Sequence, residues 1–166
     1  MIRYAGRSPA AQAQTVSSLP TFSVRSIRTR RRFDNEALAA LHQRKIIRIK
    51  AGAGPRRFIG IWVVVVERRV FVRSWSIKAR GWYRAFLEDP HGFVQIGPRT
   101  FPVRAVRIRS KQLLSAVDRG YLDKYNTPGS LRYARDLGST KSRGTTTELV
   151  PAARTPPRGG SQRTSR

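Results

Sequence analysis

The stretch "FIGIWVVVVERRVFVRSW", residues 58–75, decides the fold. It contains two apolar runs, 58–66 and 69–75, joined by the short polar pair Glu67-Arg68. Strand-like runs of Val, Ile and Phe separated by two polar residues are typical of a β-hairpin. The run Ile59–Val66 is far shorter than the roughly 20 residues that cross a bilayer, so it predicts a buried strand.

The flanking sequence predicts further elements on both sides of the hairpin. Asp34 is a helix N-cap before a helix over 35–44, and "KIIRIK" alternates like a strand. Strands are predicted near 92–96 and over 100–109, with a last β-prone segment, "TTTELVP". Helices are predicted over 81–89, from the N-cap Ser110 to about residue 125, and over 131–137. About six strands with helices at the start, middle and end indicate an α+β domain.

Two details of these elements have alternative interpretations. The alternation within 100–109 slips between Val103 and Val106, which indicates either a bulge or a barrel corner with both faces partly buried. In "TTTELVP", the hydroxyls of Thr145 and Thr146 either meet a ligand or belong to an edge strand, and the strand is favoured.

The length of 166 residues fits one well-buried domain. Residues 1–32 contain prolines, scattered Ser and Ala and a basic run, so we expect a disordered basic extension. The alternative is a translation start site assigned too far upstream. The domain is predicted over 33–151, followed by a disordered basic tail over 152–166.

The formal net charge is +25, and it is not confined to the ends of the chain. Residues 34–150 hold 23 basic residues and all nine acidic ones, which leaves a net charge of +14. Such a field attracts nucleic acid, anionic lipid or phosphorylated small molecules. The alternative interpretation is that part of the charge reflects an arginine-rich genome, which uses Arg where another would use Lys or Gln.

Chemistry based on cysteine is excluded because the chain has none, and only His42 and His91 remain as soft metal ligands. We therefore expect no metal site. The N-terminal residues lack the apolar segment of a signal peptide, and no run is long enough to span a membrane. These features predict a cytoplasmic protein without a membrane partner.

The domain resembles a bacterial family without assigned function, domain-of-unknown-function family twenty-two fifty-five. The resemblance covers roughly 33–151 and rests on "VFVRSW", "GWYRAF", "DRGYLDKYNTPGS" and "TTTELVP". That family in turn resembles distantly the flavin- and deazaflavin-binding split β-barrels, which include nitroreductase-like reductases. The resemblance implies a small antiparallel split-barrel-like sheet with peripheral helices, a flavin mononucleotide (FMN) or deazaflavin cofactor, and possible reductase activity.

The segment "RSWSIKARGW" holds most of the candidate site residues. Arg73, Lys78 and Arg80 supply cationic donors within a few residues, and Gly81 lets the backbone approach a ligand closely. Trp75 and Trp82 offer flat surfaces to a heterocycle. The split-barrel resemblance implies phosphate contacts from basic and hydroxyl residues near the second hairpin. The candidates matching that description are Arg57, Arg73, Ser74, Lys78 and Arg80.

Other interpretations of the same residues stay open. Arg73 can cap the sheet or form an ion pair, Trp82 can belong to the core, and Lys78 and Arg80 can be solvated loop charges. The glycine-rich "AGAGPRR" lacks the ending of a P-loop and predicts a turn.

Two alternatives concern partners. Single-stranded nucleic acid is the main alternative partner, through "SIRTRRRF", the basic "RAVRIRSK" strand and interspersed aromatic residues. The other alternative is a homodimer, since split barrels often bury a sheet face against a second copy.

Overall fold

The computed structural model describes residues 31–52 and 54–153. Within these ranges the helices are α1 (Asn35–Gln43), α2 (Trp82–Glu88), α3 (Lys111–Lys124), α4 (Pro128–Asp136) and α5 (Thr140–Arg143). The strands are β1 (Ile46–Ala51), β2 (Ile59–Val66), β3 (Arg69–Val72), β4 (His91–Ile96), β5 (Arg99–Arg107) and β6 (Thr147–Pro151). The extension and the tail predicted to be disordered lie outside the described residues, apart from two residues of each.

The six strands form one closed antiparallel barrel in the order β1-β2-β3-β6-β5-β4, with β4 pairing back onto β1. The predicted α+β class and the small antiparallel barrel are therefore confirmed. Closure satisfies the backbone groups of every strand without leaving a free sheet edge.

The β2–β3 hairpin turns through two residues that both have positive φ, Glu67 at 50° and Arg68 at 60°. A left-handed pair of this kind matches the twist of the adjoining strands. β3 ends at Val72, three residues earlier than the predicted strand over 69–75. The chain leaves the sheet there because Arg73 and Ser74 hydrogen-bond to the segment that precedes β6.

Two apolar cores lie on opposite sides of the barrel wall. The interior core contains Val63, Val72, Val94 and Leu149, together with buried residues of α1 and α2. The outer core lies where α3 and α4 cover β2 and β3, and Tyr121 is one of its fully buried residues. Successive residues of a strand face opposite sides, and β2 contributes residues to both cores. Both of its faces are therefore buried, which explains the continuous apolar run seen in the sequence.

The strand β5 has the second of the two structures that its sequence pattern allowed. Its pairing with β6 runs without interruption from Val103 with Pro151 to Arg107 with Thr147, so no bulge is present in this pairing. Val103 faces the interior, while Val106 is half-buried on the outer side. The irregular pattern therefore reflects two partly buried faces.

Helices α1 and α2 close opposite ends of the barrel. α1 packs beside the β2–β3 turn, where Arg68 donates to the side chain of Asn35 over 2.7 Å. α2 packs at the other end, where Phe86 lies against Gly92. A Cβ at position 92 would lie 2.7 Å from Cε1 of Phe86 and 2.4 Å from the carbonyl oxygen of Lys50. Only glycine fits at this position, because the backbone of Lys50 and the ring of Phe86 approach it so closely.

A buried guanidinium joins the barrel to its outer helices. Arg73 Nη1 donates to Oδ1 of Asp118 over 2.5 Å and to the carbonyl of Leu137 over 2.9 Å. Its Nη2 donates to the carbonyl of Leu114, and its Nε donates to Oγ1 of Thr146. The side chain of Arg73 is 0% exposed and that of Asp118 is 27% exposed. Burial of this charge is tolerated because its donors are bonded.

Lys124 forms a second connection between these layers. Its ammonium donates to the carbonyls of Leu41, over 2.6 Å, and Val63, over 2.9 Å. Burial lowers the pKa of Lys124 to about 8, against the two hydrogen bonds that favour the charged form. Burial acts in the opposite sense on the neighbouring phenol and raises the pKa of Tyr125 to about 12.

The Gly92→Ala substitution tests the closure of the barrel end by α2. The added methyl group has to displace Phe86 or the strand, so we expect a loss of about 1–3 kcal/mol in the free energy of unfolding, measured in urea. Gly129→Ala is the matched control, because nothing lies within 4 Å of its added Cβ. Equal stability of the two variants would contradict the close approach.

The Arg73→Leu substitution tests the buried guanidinium. It leaves Oδ1 of Asp118 and two carbonyls without this donor, while Nε of Arg143 stays 3.0 Å from Oδ2 of the same carboxylate. We therefore expect a loss of about 3 kcal/mol in urea unfolding, at the lower end of the range for a broken buried pair. Arg119→Leu, at an exposed position of α3, is the control and should change stability by about 0.5 kcal/mol or less. A small effect at both positions would show that the network adds nothing to stability.

The lowered pKa of Lys124 makes a prediction about pH. The ordinary pKa of 10.5 applies in the unfolded chain, so above pH 8 the unfolded chain holds this proton more tightly than the folded one. Raising the pH from about 8 to 10 should therefore stabilise the wild type relative to Lys124→Met. We expect a gain of about 1 kcal/mol, reduced by solvent screening of a half-buried group. Parallel stability curves for the two proteins would refute the shift.

Candidate functional site

A cleft of about 350 Å³ lies at the end of the barrel that α2 closes. The described residues that line it are Ile49, Ala51, Arg56, Arg57, Ile59, Arg80 and Trp82. They come from the end of β1, the start of β2 with the residues before it, and the start of α2. Residues 49–59 therefore meet residues 80–82, which lie about 20 positions further along the chain, in one concave surface.

Three arginines give the cleft its charge. Arg56 and Arg57 precede β2, and Arg80 lies just before α2; all three are exposed. The chain reaches Arg56 after a turn in which Gly52 has a φ of +75°, a conformation that favours glycine. The described lining includes no Asp or Glu, so the cleft is strongly positive. Guanidinium groups arranged in this way suit phosphate or carboxylate.

The remaining lining is apolar and aromatic. Trp82 is half-buried and packs edge-to-face with Phe86, with ring centroids 6.0 Å apart and an interplanar angle of 81°. Ile49 and Ile59 contribute aliphatic surface from neighbouring strands, where they are paired. A planar ring could lie against these surfaces while its charged group meets the arginines.

The predicted site residues separate into three places, and the cleft brings together Arg57, Arg80 and Trp82. Gly81 lies between the last two in the chain, and its amide donates to the carbonyl of Lys78 over 2.9 Å. A Cβ on Gly81 would lie 3.1 Å from that carbonyl oxygen, so this tight turn accounts for the glycine. Lys78 is exposed in the same turn and is not a lining residue of the cleft.

Arg73 and Ser74 occupy the second place, below the outer helices. Arg73 is held in the network described above, and the amide of Ser74 donates to Oγ1 of Thr145 over 2.9 Å. Both residues are buried, at 1% and 6% exposure. We therefore assign them a structural role and leave them out of the site that we propose below.

Trp75 occupies the third place, on the outside of the barrel. Its ring packs edge-to-face against Trp62 at 5.2 Å and against Tyr133 at 6.4 Å. Trp75 is 37% exposed and Tyr133 is 43% exposed, so this aromatic group forms a surface of its own.

Sequence reasoning missed Arg56 and the aliphatic walls of the cleft. Arg56 stands in "AGAGPRR", where the sequence predicts a turn and offers only the adjacent Arg57 as a candidate. Two adjacent arginines directly after a glycine-rich turn and before a buried strand were the available signal. Ile49 and Ile59 gave no signal, since any strand residue of a barrel core looks the same in sequence.

The other candidate motifs are engaged within the protein. The hydroxyl of Thr145 donates to the carbonyl of Ser142, and that of Thr146 donates to the carbonyl of Arg143, so both are used by the fold. Among the described residues, no cluster of three or more His, Cys, Asp or Glu could hold a metal ion. None of the described helices is both long and apolar enough to cross a membrane.

Solved structures that resemble this chain include proteins of different kinds. The heme storage protein HutZ of Vibrio cholerae is 16% identical, with a TM-score of 0.52 over 73% of this chain and 91% of that one. A conserved hypothetical protein of Mycobacterium tuberculosis is 13% identical, with a TM-score of 0.50 over 76% and 84%. An F420-H2 dependent reductase is 17% identical, with a TM-score of 0.48 over 64% and 94%. At these identities the likeness to the first two structures shows the fold alone.

Comparison of sequences gives a family and no characterised relative. No curated protein matches the sequence of this chain. A family model described as an uncharacterized protein conserved in bacteria, DUF2255, matches residues 36–149. That match covers most of the barrel and its helices and confirms the resemblance seen in the sequence. The chain belongs to the DUF2255 family of bacterial proteins.

Proposed function

We propose that the chain binds a phosphorylated cofactor of the flavin or deazaflavin type in the cleft between β1, β2 and α2. The observation that carries this proposal is the convergence of Arg56, Arg57 and Arg80 on an apolar cleft walled by Trp82. Guanidinium donors match phosphate oxygens, and the volume of about 350 Å³ lies in the range of small-molecule sites. The residues present therefore fit such a group.

The roles of the side chains follow from their chemistry. Arg57 and Arg80 would hold the phosphate, with Arg56 adding charge, and Trp82 would orient the ring system and exclude water from one side of it. A bound flavin or deazaflavin would supply hydride transfer. The described lining has no carboxyl, imidazole, thiol or amine, so these residues bind and orient and do not transfer protons.

Heme is the second cofactor class to compare, because the HutZ structure shares the fold. Heme iron requires an axial ligand such as His, Cys, Met or Tyr. None of these residue types is found among the described lining residues of the cleft. His91, one of the two histidines of the chain, lies 3.0 Å from Oδ1 of Asp89 and is not a lining residue. The side chains of the cleft therefore suit a phosphate group and offer no axial ligand to heme iron.

An Arg57→Ser, Arg80→Ser double variant tests the phosphate contact. We expect its dissociation constant for FMN to rise by about 10- to 100-fold, because two charge-assisted contacts are lost. Riboflavin, which lacks the phosphate, should bind the wild type and the double variant with similar affinity. Titrations followed by flavin fluorescence in about 0.15 M salt limit nonspecific attraction to this basic chain.

Arg135→Ser is the matched control, since Arg135 is exposed on α4 and does not line the cleft. It should retain wild-type affinity for FMN, and circular dichroism should show all variants folded. A double variant that still prefers FMN over riboflavin as strongly as the wild type would remove the arginines from the proposal. A wild type that binds neither FMN nor a deazaflavin cofactor would refute the proposal itself.

A further inference from the structure

The outer side of the barrel over β1 and β4 is a surface that the cofactor cleft does not use. The interior of β1 takes Ile47 and Ile49, so the alternate residues Ile46, Arg48 and Lys50 face outward. On β4 the outward residues include Phe93. α3 and α4 pack over β2 and β3, and Arg48 and Phe93 remain exposed.

Further aromatic and basic residues lie beside these outward side chains of β1 and β4. Together they form a surface that we call the outer aromatic face, and the added residues are Phe58, Trp62, Trp75, Tyr133 and Arg132.

Cations and aromatic rings alternate on the outer aromatic face. The guanidinium carbon of Arg48 lies 5.9 Å from the ring centroid of Phe58, and Nζ of Lys50 lies 5.9 Å from that of Phe93. At the α4 side, the guanidinium carbon of Arg132 lies 4.5 Å from the ring centroid of Tyr133. Phosphate-binding groups and stacking surfaces thus occur as neighbouring pairs.

The rings at the α4 side are held firmly from below. Trp62 stacks in parallel on Tyr125, with centroids 4.0 Å apart and an interplanar angle of 1°. Tyr125 is fully buried, and its hydroxyl accepts from the amide of Val63 over 2.9 Å. Trp75 and Tyr133 contact Trp62 edge-on and keep more than a third of their surface exposed. A ligand ring would meet aromatic surfaces that are already ordered.

The charge of the surrounding strands has one sign. The sequences of β1, β2, β4 and β5 contain no Asp or Glu. They do contain Arg48 and Lys50, and also Arg104, which is exposed on β5. A polyanion approaching this side of the barrel therefore meets no carboxylate within these four strands.

We propose that the outer aromatic face binds single-stranded nucleic acid. Arg48, Lys50 and Arg132 would contact phosphates, while the exposed rings would stack on bases. A single strand fits better than a duplex because a ring can reach the face of a base only when the base is unstacked from its neighbours. This function is independent of the cofactor cleft.

A second copy of the chain is the competing occupant, and the charges disfavour it. In a two-fold dimer the same surface patch lies on both subunits, so Arg48 and Lys50 would approach their own counterparts. No carboxylate of β1, β2, β4 or β5 is available to pair with them. Like charges placed opposite each other across an interface oppose association, whereas a polyanion relieves their repulsion.

The chain has three tryptophans, so a Trp82→Phe background limits tryptophan fluorescence to Trp62 and Trp75. This change also separates the signal from the cofactor cleft. We expect an oligodeoxythymidine of about 12 nucleotides to quench the full-length protein saturably, and a duplex of equal length to quench it far less. Trp75→Ala, followed by anisotropy of a labelled oligonucleotide, should weaken binding by about 10-fold or more.

Arg48→Ser supplies an independent variant at an exposed position, and Arg119→Ser on α3 is its control of equal charge. Arg48→Ser should weaken binding and reduce the slope of log affinity against log salt by about 0.7, which Arg119→Ser should not do if binding is local. Equal affinities of these two variants, or equal binding of duplex and single strand, would overturn the proposal. A dimer detected by sedimentation would also overturn the proposal if the Arg48→Ser or the Trp75→Ala substitution dissociated that dimer.

Discussion

The guanidinium of Arg73 is buried where the barrel meets α3 and the chain before β6, and its hydrogen bonds connect all three. A charge in such a position costs several kcal/mol to desolvate, so it is stable only in an arrangement that satisfies its donors. The carboxylate of Asp118 and the carbonyl of Leu114 meet this requirement from α3, and the carbonyl of Leu137 meets it from the C-cap of α4. The outer helices therefore have one permitted position relative to the sheet, which an apolar contact alone would leave less defined.

This constraint also determines which arginines are available to a ligand. Arg73 is the first residue of "RSWSIKARGW", the most prominent basic and aromatic segment of the sequence, yet it is used by the fold. The cationic groups that line the candidate cleft lie at one end of the barrel, before β2 and before α2. The same segment divides at Arg73 into a structural part, an outer aromatic part at Trp75 and a cleft part from Arg80 to Trp82. One short stretch of sequence thus serves three separate regions.

The secondary structure could be predicted because its signals are local. The N-caps Asp34 and Ser110 accept from amides three residues later, and the apolar run of β2 matches a strand buried on both faces. The position of Arg73 could not be predicted, because its partners are 41 to 73 residues away in the sequence. An arginine among aromatic residues has the same pattern whether it meets a ligand or a partly buried carboxylate. Likewise, only the closed barrel brings Arg57 near Arg80.

The barrel has one short join, between β3 and β6. β3 and β6 share two register pairs, Phe71 with Glu148 and Val72 with Thr147, whereas β4 and β5 share six. The two strands are also far apart in the chain, so bringing them together has a large cost in conformational entropy. We expect this join to form late in folding and its amide hydrogens to exchange through local opening. While it is open, the nascent chain presents two unpaired strand edges, where one copy can add strands to another.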